Sequence, residues 1–145
     1  AYKSSLQQIE IPVRILGFFG QTFGLAEAAR RTFACLEKSG LSARATQIPY
    51  SGKHRGSDHT IKAEKKIPSN TDEIRIFHFN GDHFEKLISY WGESILDCKY
   101  KIGFWHWELP EFPDDYLSWL DMVDEIWVPS RFVFDAPSNS RGLPR

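Results

Sequence analysis

Glu108 is the acidic side chain whose surroundings most favour chemistry. It lies in the turn HWELP, where Trp107 precedes it and Leu109 follows it. Apolar neighbours remove water from a carboxylate and raise its pKa, which suits the group to hold or accept a proton. A solvated loop acid is the alternative, because glutamate is mostly exposed in folded proteins. Glu108 is therefore the candidate catalytic residue, and Trp107 is the candidate surface for stacking of a sugar ring.

A second polar turn, HFNGDH, carries Asn80 and Asp82. Amide and carboxylate groups recognise hydroxyl groups, so both residues are candidate substrate-binding residues. Asn-Gly is also a strong turn pair, and the alternative is that Asn80 and Gly81 only form the turn. His78 and His83 lack the spacing of a helical or short-loop metal pair, and no cysteine is near them in the sequence. We therefore expect no zinc site here.

The third candidate is a glycine-rich segment, GFFGQTFG, over residues 17–24. Gly20 and Gly24 would let the backbone approach a ligand, and amides at a helix N-terminus can receive an anion or a sugar hydroxyl. A tight turn would explain the same glycines. The spacing G-x-x-G-x-x-x-G is not the dinucleotide fingerprint, and no acid ends the next strand at residues 47–49. NAD binding is therefore disfavoured.

Alternating strand and helix patterns determine where these turns lie. Strands separated by helices with mostly short connections predict a Rossmann-like α/β domain, with a doubly wound parallel sheet, over residues 1–145. In such a sheet the ligand crevice lies outside the carboxyl ends of the strands, where all three turns fall. The predicted strands cover residues 11–19, 42–48, 73–79, 100–107 and 125–129.

Two helices carry further predictions. In the helix after the glycine-rich segment, apolar residues recur at three- and four-residue steps, while Glu27, Arg30 and Arg31 take the opposite, solvent-facing side. Ser130 is placed to cap a last helix that begins at Arg131. Both residues are candidates for a polar contact with substrate, although capping alone would explain Ser130.

Residues 50–72 have no apolar periodicity and predict a long, mobile surface loop. Its basic side chains could meet an anionic acceptor, but a solvated loop explains them as well. They are Lys53, Arg55, Lys62, Lys65 and Lys66.

Whole-chain properties exclude several classes of partner. The 18 Lys and Arg against 19 Asp and Glu give a net charge of -1, which calls for neither nucleic acid nor an anionic membrane. Cys35 and Cys98 form no CxxC motif and predict buried thiols in a reducing compartment. The apolar runs are strand-sized and the N-terminus is polar, so we expect a soluble, cytoplasmic protein without a transmembrane segment.

Three segments together resemble the N-terminal domain of GT-B-fold glycosyltransferases of the group-1, family-4 type, especially bacterial ones. They are GFFGQTFGLAEAAR, HFNGD, and GFWHWELPEFP followed by VDEIWVPSRFV. The resemblance implies one half of a two-domain enzyme that transfers a sugar from a nucleotide-sugar donor to a glycan or other acceptor, as in polysaccharide biosynthesis. It implies no metal and no cofactor besides the donor substrate.

By position, the resemblance places the candidate residues on one wall of a cleft, near the acceptor or the donor phosphate. The second domain, which holds most of the nucleotide sugar in the family, matches no segment here. We therefore expect a truncated or partial chain that lacks turnover alone, as the polar sequence after Phe134 also indicates. The residues carried over are Gly20, Gly24, Asn80, Glu108, Ser130 and Arg131.

Two other functions remain open. The first is a non-catalytic binding module that self-associates as a homo-oligomer through apolar surface. The second is a free-standing nucleotide-binding Rossmann domain, which the missing fingerprint disfavours. The sequence does not identify the donor sugar, the acceptor or the stereochemical outcome.

Overall fold

The computed structural model describes residues 11–53, 56–69 and 71–139. The strands are β1 (Val13–Gly17), β2 (Ala43–Gln47), β3 (Ile74–Phe77), β4 (Tyr100–Phe104) and β5 (Glu125–Trp127). The helices are α1 (Gly24–Lys38), α2 (Phe84–Trp91), α3 (Asp114–Leu117) and α4 (Arg131–Asn139). All five strands run parallel in one sheet, in the order β2-β1-β3-β4-β5. The predicted Rossmann-like α/β domain is confirmed.

The sheet is covered on both faces. On one face Ala29 of α1 packs with Ile15 and Ile76, and on the other Leu87 of α2 packs with Leu16 and Phe77. Strands buried on both sides read as continuous apolar runs, which is why the sequence of β1 shows no alternation. The chain moves from β1 to β2 in one direction and from β3 to β5 in the other. The order of the strands therefore reverses between β1 and β3, where such sheets bind ligands.

The predicted solvent position of Arg30 is wrong. Its side chain is buried, and Nη1 donates hydrogen bonds to the carbonyl oxygens of Phe19 at 2.8 Å and Gln21 at 2.6 Å. The guanidinium also pairs with Glu27 on α1 and with Asp58. A buried arginine requires such partners, and here they are backbone groups of the glycine-rich segment. Arg30 thus fixes that segment against α1.

The described parts of residues 50–72 contact the edge of the sheet. The amide of Glu64 donates to the carbonyl of Ala45 at 2.8 Å, and the amide of Gln47 donates to the carbonyl of Glu64 at 2.8 Å. Ile61 and Ala63 pack against the core on the α1 face. These contacts cover part of the free edge of β2, a position that would otherwise leave backbone groups unpaired. The mobility of this segment stays a prediction.

Two further predictions change. Cys35 is exposed and Cys98 is half-buried, so the predicted burial of both thiols is wrong, because Cys35 lies on the face of α1 turned away from the sheet. Helix α4 continues past Phe134 to Asn139, with Asp135 paired with Arg131 at 3.0 Å and Ala136 buried, so the polar sequence after Phe134 does not end this helix. That the chain is partial stays a prediction. Within the described residues, no helix is long and apolar enough to cross a membrane.

Candidate functional site

A cavity of about 540 Å³ lies at the carboxyl ends of β1, β3 and β4. The loops after these three strands supply its walls, as the topology of an open parallel sheet predicts. We call it the aromatic cavity. Four of the candidate residues line it, and three residues not chosen from the sequence complete it. The lining consists of Gly24, Leu25, Asn80, His106, Trp107, Glu108 and Leu109.

Asn80 joins two walls of the aromatic cavity. Its side-chain Oδ1 accepts a hydrogen bond of 2.8 Å from the amide of His106, in the loop after β4. Its carbonyl accepts a bond of 3.1 Å from the amide of His83, which closes the turn after β3. Asn80 therefore forms the turn and also holds the two loops at a fixed separation. Asn80 thus forms the turn, as one alternative predicted, and also lines the cavity, as the other predicted.

Trp107 forms a fixed part of the cavity wall. Its indole Nε1 donates to the carbonyl of Glu111 at 2.8 Å, and its ring lies 4.7 Å from that of Tyr116. Trp105 is fully buried and contacts Phe112, which Trp107 also contacts. Strand β4 ends at Phe104 rather than at Trp107, so the turn begins earlier than predicted. Trp105 thus belongs to the core, and Trp107 lies at its boundary with the cavity.

Glu108 lines the aromatic cavity but is exposed. The desolvation predicted from its apolar neighbours is wrong for Glu108 in this structure. Leu109 is itself 58% exposed, so it removes little water from the carboxylate. Glu108 is therefore a charged group at the mouth of the cavity, able to accept hydrogen bonds from hydroxyl groups.

Two histidines lie close together at this site: His106 lines the aromatic cavity, and the ring of His78 lies 5.4 Å from it. His78 is fully buried, and its Nε2 lies 3.2 Å from the hydroxyl of Thr32. Burial, together with the nearby His106, lowers the pKa of His78 to about 4. Burial also lowers the pKa of His106, which is half-buried in the cavity wall. The ring of Phe104 contacts both, at centroid distances of 4.4 and 5.0 Å. Both imidazoles are therefore neutral at pH 7.

Asp82 does not line the aromatic cavity. Its Oδ1 lies 2.8 Å from Nδ1 of His83, and Tyr116 donates a further hydrogen bond to its carboxylate. Burial opposes ionisation of Asp82, but the hydrogen bonds from His83 and Tyr116 hold its pKa below the usual value. The carboxylate connects the turn after β3 to α3. Asp82 is itself exposed, so its role in substrate binding stays a prediction.

Gly20 lines a second cavity, of about 640 Å³, on the β2 side of the glycine-rich segment. We call it the basic cavity. The amide of Gly20 donates to Oε1 of Gln47 at 2.6 Å, and Nε2 of Gln47 donates to the carbonyl of Ile48 at 2.7 Å. The segment from Gly20 to Gly24 separates the two cavities. The lining of the basic cavity is Gly20, Gln21, Gln47, Ile48, Pro49, Tyr50, Asp58, His59, Ile61, Lys62, Ala63 and Lys65.

Ser130 and Arg131 line neither cavity. The hydroxyl of Ser130 accepts a hydrogen bond of 3.3 Å from the amide of Val133, which is the geometry of a helix cap. Arg131 pairs with Asp135, and its guanidinium lies 4.9 Å from the ring centroid of Phe134. In this structure both residues make contacts within α4 and its cap.

The sequence-based search missed three residues that shape the site: Arg30, Gln47 and His78. Each acts through contacts between distant segments, which a local pattern does not reveal. The only available signal for Arg30 was its place one turn after Ala26, at the border of the apolar stripe.

Across the described ranges, no group of three His, Cys, Asp or Glu side chains is arranged to hold a metal ion.

A scan against protein-family models finds no match for this chain, and searches among curated proteins and among solved structures find none either. The resemblance to GT-B-fold glycosyltransferases therefore depends on the three quoted segments. What can be added to it is the geometry of the two cavities.

Proposed function

We propose that this chain is the N-terminal, acceptor-side domain of a GT-B-fold glycosyltransferase, and that the aromatic cavity binds a saccharide acceptor. One observation carries the proposal. The three segments that resemble the family lie far apart in sequence, yet each contributes to the lining of this cavity, through Gly24, Asn80 and Trp107. The parallel sheet by itself brings turns after neighbouring strands to one edge. The support for the proposal is that the turns lining this cavity are the ones that carry the residues resembling the family.

The chemistry of the lining suits a sugar. An aromatic ring with a fixed orientation, such as Trp107, offers an apolar face to the C–H groups of a pyranose. Asn80 and Glu108 offer amide and carboxylate groups to its hydroxyls. The amides of Gly24 and Leu25 open α1, and the first amides of a helix have no partner within the helix. Apolar surface with a few polar groups is typical of small-molecule sites.

Glu108 is the proposed catalytic residue. A carboxylate at the mouth of the cavity accepts a hydrogen bond from the reacting hydroxyl and can take its proton as the hydroxyl oxygen bonds to the anomeric carbon of the donor sugar. In the same transfer the bond from that carbon to the nucleotide diphosphate breaks, and the diphosphate leaves with the electron pair. This role requires a second domain to present the nucleotide sugar. We therefore expect no turnover by this chain alone, and no cofactor other than the donor. A reducing, cytoplasmic location agrees with two cysteines that form no disulfide.

The two alternative functions have less support. Gln47 ends β2 with its side chain bonded to Gly20 and Ile48, so the usual acid for a dinucleotide ribose has no counterpart there. For self-association, Phe132 and Phe134 are 51% and 55% exposed. They are two positions apart, or about 200° around a helix, and so do not form one apolar patch.

The proposal is tested by saccharide binding to matched variants. The probes are glucose, galactose, mannose, N-acetylglucosamine and their disaccharides, followed by saturation-transfer NMR. We expect Glu108→Ala to weaken binding roughly tenfold, the effect of losing a hydrogen bond to a charged group. Glu111→Ala is the control, because Glu111 is an exposed acid three residues on that does not line the cavity. Equal affinities for the two variants would reject the role of Glu108, and no binding by the unmodified chain would reject the saccharide site.

A further inference from the structure

The basic cavity contains two lysines of the segment predicted as a solvated loop, Lys62 and Lys65. Both side chains are exposed, and both border the same concave surface as the backbone of Gly20 and Gln21. Lysines scattered on a surface loop need no functional explanation. Two lysines that share one cavity at the carboxyl end of a parallel sheet are a different arrangement, because ligands bind at this edge.

The backbone that carries these lysines is anchored. Glu64 lies between them, and its amide and carbonyl both bond to β2. Its carboxylate accepts a bond of 2.8 Å from Arg14, a residue buried in the sheet. The amide of Asp58 donates to the carbonyl of Gly20 at 3.1 Å. The segment thus holds the backbone that carries Lys62 and Lys65 in place beside the glycine-rich segment, which lowers the backbone part of the entropic cost of binding a ligand there.

The charge of the lining is positive. Asp58 is the acidic residue of the lining, and the guanidinium of Arg30 lies 3.6 Å from its carboxylate. The hydroxyl and amide of Thr60 also donate to Asp58. With Asp58 thus compensated, the two ammonium groups of Lys62 and Lys65 remain to attract an anion. Lysine binds phosphate as a point charge, and a phosphate monoester carries a charge of about −1.5 to −2 at pH 7.

We propose that the basic cavity binds a phosphate group through Lys62 and Lys65. This inference rests on the proposed function and extends it, because it adds a phosphate to the chemistry of the ligands. The aromatic cavity would hold the sugar, and the basic cavity, across the segment from Gly20 to Gly24, would hold a phosphate. That phosphate belongs either to the acceptor or to the donor.

Calorimetric titration of the chain with inorganic pyrophosphate tests this site. We expect the double variant Lys62→Ala/Lys65→Ala to weaken binding roughly tenfold or more, as the loss of two charge-assisted contacts implies. Lys66→Ala is the matched control, because Lys66 is an exposed neighbour that does not line the cavity, and its loss should change the affinity less than about twofold. Lys62→Arg/Lys65→Arg retains the charge and should retain most of the binding.

Equal losses in the double variant and in Lys66→Ala would overturn the proposal, since they would indicate general attraction to a positive surface. Absence of pyrophosphate binding to the unmodified chain would overturn it too. Uridine diphosphate and glucose-1-phosphate identify the source of the phosphate: tighter binding of the first indicates the donor, and tighter binding of the second indicates an acceptor. Neutral saccharides measured in the same variants keep the proposals separate, because the lysine substitutions should leave their binding unchanged.

Discussion

The two cavities lie on opposite sides of one short segment, from Gly20 to Gly24, yet they are built in different ways. The aromatic cavity is formed by turns that directly follow β1, β3 and β4. The basic cavity is formed by the glycine-rich segment, the end of β2 and a long connection that is anchored to the edge of the sheet by hydrogen bonds and by packing of Ile61 and Ala63. The first depends on topology and on contacts within and between those turns. The second depends on topology and on a buried ionic network beneath it.

This difference predicts which substitutions should disturb each cavity. The residues of the aromatic cavity are held by neighbours in the chain and by contacts such as the bond between Asn80 and His106. The basic cavity depends on Arg14, whose guanidinium bonds to Glu64 and Thr46 and also to Glu73, one strand away. Disturbance of this network should therefore affect the basic cavity first.

The largest expected effect comes from Glu73→Ala. Glu73 is 1% exposed and accepts hydrogen bonds from Arg14 at 3.0 Å and from Arg75 at 2.9 Å. Its removal leaves two buried guanidinium groups without their shared carboxylate, which costs about 3–5 kcal/mol of the free energy of unfolding. Urea unfolding measures this loss. We also expect pyrophosphate binding to fall more than saccharide binding, because Arg14 bonds to both Glu73 and Glu64 and a shift of its guanidinium would disturb the segment that carries Lys62 and Lys65.

Glu85→Ala is the control for this variant, since Glu85 is an exposed acid on α2 and its loss should change stability by less than about 0.5 kcal/mol. A loss of comparable size in both variants would show that the network is not what supports this edge of the sheet. Equal loss of both ligands in Glu73→Ala would remove the proposed difference between the two cavities.

The next effect is a dependence of stability on pH caused by His78, whose ring lies next to His106 of the aromatic cavity. The pKa of His78 falls from 6.5 to about 4 in the folded chain. Between these values the unfolded chain binds a proton that the folded chain does not, so this contribution to stability is complete above pH 6.5 and is lost as the pH falls toward 4. The loss is about 3 kcal/mol, at about 1.4 kcal/mol per pKa unit.

The measurement is urea unfolding from pH 7 to pH 4 for the unmodified chain and for His78→Gln. Carboxylates titrate in both, so the difference between the two curves isolates the histidine. His59→Gln, at an exposed position, should follow the unmodified chain. Parallel curves for the unmodified chain and His78→Gln would contradict the burial of a neutral His78.

A smaller effect is expected from Gly103→Ala, in β4. A Cβ atom at residue 103 would lie 2.8 Å from Nε1 of Trp105, which is buried and cannot move away without displacing Phe112. Overpacking of this kind costs about 1–3 kcal/mol. Gly24→Ala is the matched control, because a Cβ there meets nothing within 4 Å. Similar melting curves for both variants would show that Trp105 has room to shift.

Much of the fold was predictable because its strands are apolar runs between turn residues. The parallel direction of the strands followed from the helices between them, and the meeting of Asn80 with the loop after β4 followed from the parallel sheet. The order of the strands in the sheet was not predicted. The exposure of Glu108 was one of two alternatives, and the sequence did not decide between them because the answer depends on where Leu109 points. The burial of Arg30 and the anchoring of Glu64 were not predictable either, since each depends on a partner in a distant part of the chain.

The central claim, that the aromatic cavity binds a saccharide, is tested most directly by amide and indole NMR spectra of nitrogen-labelled protein during titration with the saccharide panel. We predict shifts of the Trp107 indole and the Asn80 amide, with the Trp91 indole and the amides of Lys62 and Lys65 unchanged. Glycerol, a polyol that is not a sugar, should cause none. Saccharide shifts centred on Lys62 and Lys65, or no shift at Trp107 and Asn80, would contradict the account.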